Sequence, residues 1–177
     1  MMTRTQPLVT EQTTTDTLNQ LVGILPDTPL AQLRSQRADI ARFIQGSYDA
    51  LLTPSQTSGV TWVERGLIAL RVATLTSCSP LVRHYRNHLR QLGESVTTIA
   101  AVESVPLAVL LSPRLTALIK HTDLLTLHPA AATFEQVAEL RAQGLRAPDI
   151  VTLAQLIAFL SFQVRALATL QLLQEEI

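Results

Sequence analysis

The chain has 177 residues and no net charge at neutral pH; 47% of its residues are hydrophobic and only 16% charged. The charged fraction is below the roughly 25% usual for soluble domains, which points to apolar surface covered by other subunits. Thirteen arginines and one lysine, Lys120, are scattered along a chain of pI about 6.9, so nothing provides the concentrated positive field of a nucleic-acid-binding surface.

Residues 1–15 are rich in Thr and Gln, lack an apolar period and are expected to form a mobile tail. They contain no apolar signal-peptide segment, so a cytoplasmic location is expected. Asp16 can cap a short helix through Leu18, Leu21 and Val22 that stops at Gly23. Between Pro29 and Pro54, an apolar stripe of Leu30, Leu33, Ile40, Phe43, Ile44, Leu51 and Leu52 predicts a helix with Gly46 as its weak point. Thr61-Trp62-Val63-Glu64 has the form of a capping box, opening a helix that runs to about Ser77. Ser79-Pro80 places serine at N-cap and proline at N1 of a helix ending at Gly93. A shorter helix spans Val96–Val102. Ser112-Pro113 starts another, which Pro129 ends, and Thr133 to Gln136 caps one that stops at Gly144. The last and most apolar helix begins at Pro148.

No strand alternation or hairpin turn interrupts this pattern. The expected fold is all-α, one domain over residues 16–177, with seven or eight helices around the three most apolar. The segment 150–173 is apolar enough to be considered as a membrane span. Its uncharged run is only Ile150 to Val164, with Gln155, Gln163 and Arg165 nearby, so a packed helix and no membrane contact are expected.

Chemistry-bearing residues gather in LTSCSPLVRHYRNHL, residues 75–89. Cys78 is the only cysteine, which excludes an internal disulfide and a cysteine-built zinc site. At a helix start and near Arg83 its thiolate would be favoured; the alternative is a small buried hydrophobe. His84 and His88 are four apart and share a helix face. They suit acid–base work, metal ligation lacking a third ligand, or a polar flank beside Leu81, Tyr85, Leu89 and Leu92. Arg71 and Arg165 are charges on apolar helices. Each is expected either to bind an anionic substrate or to pair internally with Asp123, Glu64 or Asp149. His121 and Asp123, two apart, face different sides of their helix.

The stretch ERGLIALRVATLTSCSPLVRHY, 64–85, resembles the core of the carboxymuconolactone decarboxylase and alkylhydroperoxidase-D-like superfamily, whose pattern is ERELVALRVAALNGCxYC with a histidine four residues beyond the second cysteine. Residues 112–170 resemble the tail of its peroxidase-related branch, through LRAQGL (140–145) and FQVR (162–165). The resemblance covers roughly residues 16–172. It implies an alkylhydroperoxidase-D-like helical bundle and commonly a homo-oligomer, with no metal and no cofactor. Laid over the motif, Cys78 matches the first cysteine, Leu81 stands for the second, peroxide-attacking one, and Tyr85 stands for the relay histidine. Gly66 replaces the relay glutamate. Glu64, two residues and about 200° of helix away, cannot simply substitute for it.

Three functional readings follow from this overlay. The first is a peroxidase-related antioxidant protein using the single thiol of Cys78, aided by His84, Tyr85 or His88. Its oxidised thiol would be resolved by an external thiol. The second is a cysteine-independent enzyme on a small organic acid, with His84 or His88 as acid/base and Arg83 or Arg71 on the carboxylate. The third is a non-catalytic oligomeric member lacking the dithiol.

Overall fold

The computed structural model describes residues 16–57, 59–107 and 111–177, and no strand occurs among them. Nine α-helices follow in order: α1 (Thr17–Val22), α2 (Pro29–Ser35), α3 (Ala38–Leu52), α4 (Trp62–Leu75), α5 (Ser79–Gln91), α6 (Val96–Glu103), α7 (Pro113–Leu127), α8 (Phe134–Ala142) and α9 (Ala147–Glu176). A 3₁₀ turn at Pro129–Ala131 links α7 to α8. The expected tail, residues 1–15, lies outside the described residues.

The helix starts follow local capping chemistry. Asp16 accepts from the Asn19 amide at 2.9 Å. Thr61 accepts from the Glu64 amide at 3.2 Å, while Glu64 accepts from the Thr61 amide at 2.8 Å, which completes the capping box of α4. Ser112 caps α7 through the Leu115 amide. One start differs from expectation. Cys78 occupies the N-cap of α5, and Ser79 and Pro80 are its first two helical residues.

The segment between Pro29 and Pro54 is two helices, which accounts for the extra element. The break lies at Gln36–Arg37, where Arg37 leaves helical geometry (φ −125°, ψ 53°). Gly46, the expected weak point, continues α3. The turn lets Arg34 reach Asp16 at 2.7 Å, tying α2 to the cap of α1.

Helix α4 is the centre of the bundle. Leu67 to Ala73 are all buried, because α5, α6, α7 and α9 enclose it on every side. Helix α9 is equally apolar in sequence but is used differently. Leu153, Leu156, Ile157, Leu160, Gln163 and Leu167 form its buried stripe against α1, α3, α4 and α7. Val151, Phe162 and Leu172 face outwards. By length and composition α9 is apolar enough to cross a membrane. In the fold, one of its faces is core.

Arg165 was expected to be buried with a carboxylate. It is exposed and forms no ion pair among the described residues. Gln163, two residues earlier, takes the inward position, and two helical residues reverse the facing.

Candidate functional site

The residues singled out by sequence meet where the α4–α5 turn packs against α3 and α9. Ser77 turns the chain with φ +54°, in the left-handed region, and delivers Cys78 to the start of α5. The sulfur is half-buried. Burial pushes its pKa up, and the Leu81 amide pulls less strongly the other way. Of the two readings of the sequence this favours the small buried hydrophobe: loss of water outweighs the helix-start amides. Arg83 does not offset it. It is exposed on another flank of α5, lining a cleft with Ser77, Ser79, Val82, Arg86 and Glu103.

Tyr85 lies one face further in and is 0% exposed. Its hydroxyl donates to Gln163 Oε1 on α9 at 2.6 Å. Burial raises its pKa well above the ordinary value, with Tyr48 and Cys78 adding to the effect. His84 packs edge-on against the Tyr85 ring, centroids 5.0 Å apart, and its Nε2 is 3.0 Å from the Tyr48 hydroxyl. Burial, and then His88, lower the His84 pKa, so the imidazole is neutral at pH 7. Burial pushes the Tyr48 phenol up to about 12, which keeps it protonated at any ordinary pH, and the His84 tautomer sets which partner donates. His88 shares the flank of His84, and burial lowers its pKa too.

Arg71 is not part of this cluster. Its guanidinium, 2% exposed, donates from Nε and Nη2 to the two Asp123 oxygens, both at 2.6 Å. Nη1 donates to the Val102 and Ser104 carbonyls at 2.9 and 2.6 Å. Of the three carboxylates considered, Asp123 is therefore its partner, and the expected substrate-binding donors point at internal acceptors. Glu64 instead receives Arg114 at 2.6 Å, and Asp149 lies 3.4 Å from Arg146.

Sequence reasoning missed Tyr48 and Arg65. Tyr48 continues the spacing of Ile44 and Leu52 on α3, which was a readable signal. Arg65 is buried with no carboxylate partner among the described residues and donates to the Val60 and Leu51 carbonyls at 3.0 and 2.6 Å. No pattern in the sequence marks carbonyls as the partners of an arginine.

Residues 38–123 match the model of the "Carboxymuconolactone decarboxylase family". Over these residues, just under half of the chain, the sequence is similar to that family. Two solved structures share the fold, each with a TM-score of 0.69. A peroxidase-related protein from Ralstonia eutropha JMP134, described as an alkylhydroperoxidase core, is 21% identical; the match covers 84% of this chain and 85% of that one. A peroxidase-related protein from Silicibacter sp. TM1040 is 18% identical, with 75% and 69% covered. No curated protein matches the sequence.

Against the redox motif that the sequence resembles, the substituted positions have a physical content. Leu81, in place of the second cysteine, is fully buried and apolar. Tyr85, in place of the relay histidine, is fixed by Gln163. At Gly66, in place of the relay glutamate, an added Cβ would lie 2.9 Å from Leu89 Cδ2 and 3.7 Å from His88 Cδ2. The Leu89 side chain, 0% exposed, thus fills the space in front of Gly66. Ser77 holds the left-handed turn at the position where the family pattern has glycine.

Proposed function

We propose that this protein is a non-peroxidatic member of the superfamily it resembles that works as an assembled oligomer, with the former redox centre serving as core. The observation that carries the reading is the packed centre itself, in which Leu81, Tyr85 and Leu89 occupy or fill three of the four motif positions. A dithiol cycle needs a thiolate and a second sulfur to close the disulfide. The one sulfur here is kept protonated by burial. Assembly is supported by apolar side chains that the single chain leaves in water. Leu33, Ile40 and Phe43 on α2 and α3 are 52%, 43% and 61% exposed.

Peroxide consumption with an external dithiol tests the first half. The expected rate equals the uncatalysed thiol background and is the same for Cys78→Ser; turnover that this substitution abolishes would refute it. Light scattering tests the second half, with more than one subunit expected and dissociation on Phe43→Ser. A monomer at all concentrations would count against it.

The Tyr48–His84 hydrogen bond supports a second reading, a cysteine-independent acid–base enzyme on a small organic acid. A neutral imidazole poised by a phenol is a competent base near pH 7. Turnover of a carboxylate substrate that both Tyr48→Phe and His84→Gln reduce would favour it over the first.

A further inference from the structure

Away from the α4–α5 centre, α7 and α8 diverge around a cavity of about 220 Å³ lined by Ala117, Lys120, His121, Leu124, Gln136 and Glu139. It adjoins a wider cleft of about 430 Å³ that shares Ala117, Lys120 and Glu139. The polar residues of this lining make no ion pair with one another among the described residues. His121 is only 7% exposed, and its Nδ1 is buried without a hydrogen-bond partner. A buried polar atom left unpaired costs about 1–3 kcal/mol, so the side chain is ill suited to a pure packing role. Burial also keeps its imidazole neutral at pH 7, so it presents one N–H and one lone pair. Lys120, the chain's only lysine, is on the exposed rim, as is Glu139 from the facing helix. Gln136 uses its Oε1 to accept from the Thr133 amide, which leaves its amide N–H₂ to donate.

We propose that this cavity binds a small carboxylate carrying a hydrogen-bond donor of its own, the chemistry shared by 2-hydroxy and 2-amino acids. The carboxylate meets the Lys120 ammonium, the Gln136 amide and the His121 ring. The ligand's hydroxyl or ammonium donates to the Glu139 carboxylate on the opposite wall. The volume suits the ligand size, since a 150 Å³ protein cavity already accommodates a benzene ring. The site shares no residue with the Cys78 centre, so its test is independent of any redox or acid–base chemistry there.

The test is a titration of the ring-labelled protein with lactate, alanine and propionate, followed by the His121 Cε1–H resonance. A saturable shift with lactate or alanine is expected, with binding about tenfold weaker for propionate, which lacks the donor for Glu139. Lys120→Met, a change at an exposed position, should weaken lactate binding about tenfold or more. Glu139→Gln should narrow the gap between lactate and propionate. His121→Gln should abolish binding if the fold survives, and the two rim variants decide the matter if it does not. The proposal is overturned if none of the three acids gives a saturable shift, or if the shift is the same in Lys120→Met and Glu139→Gln as in the parent.

Discussion

Two buried polar centres flank α4, and they are built on opposite principles. On the α7 side, Arg71 and Asp123 form a forked ion pair, with two backbone carbonyls taking further guanidinium protons. On the α5 and α9 side, Tyr85 and Gln163 share a single neutral hydrogen bond. The first cannot lose a member without stranding a charge in the core. The second can be replaced pairwise by apolar groups at little cost. The ionic centre is the fixed frame of this bundle, and the neutral one is where its chemistry can be exchanged for packing.

The sharpest way to break the comparison is Asp123→Ala. It leaves the Arg71 charge unpaired and should cost about 3–5 kcal/mol, read as a large drop in the denaturation midpoint. Next comes Tyr85→Phe, which strands Gln163 Oε1 and should cost about 1–3 kcal/mol. Adding Gln163→Leu to it should recover most of that loss. If the double variant is as unstable as Asp123→Ala, the distinction between the two centres fails.

A smaller effect is expected from pH. Burial lowers the pKa of His84, His88 and His121 below the ordinary 6.5, so between the two values the unfolded chain binds more protons than the folded one. Stability should therefore fall as the pH drops below about 6.5, and His84→Gln should flatten the fall. The smallest effect concerns Cys78. Its thiol titrates above the ordinary 9.0, so iodoacetamide should label it more slowly at pH 7 than a free cysteine, with rate rising only in alkali. Fast labelling at neutral pH would place the sulfur in a polar setting and undo the contrast drawn above.

Features set by neighbours in sequence were legible without a structure. The caps at Asp16, Thr61 and Ser112 act over three residues, and the all-α class follows from their spacing. The motif substitutions at Gly66, Leu81 and Tyr85 were equally plain. Partners distant in sequence were not. Asp123 lies 52 residues from Arg71, and the sequence narrowed the choice only to three acids. Arg165 was misplaced because α9 is apolar all round, so its composition does not say which face is core. The Tyr85–Gln163 bond, spanning 78 residues, was hidden for the same reason, although both residues had been marked. Whether Cys78 would be activated was a contest between helix-start amides and burial, and only packing could decide it.

The Leu89 side chain in front of Gly66 makes the order of substitutions matter. Gly66→Glu introduced by itself would drive its Cβ to 2.9 Å from Leu89 Cδ2, so the acid arrives as a steric fault before it can serve as a proton relay. Trimming Leu89 first opens the space but leaves a void in the core until the glutamate arrives. The glutamate therefore requires the Leu89 methyl to give way, and the two positions are coupled through that one contact. A protein engineer rebuilding a peroxidase on this scaffold would change residues 66 and 89 together.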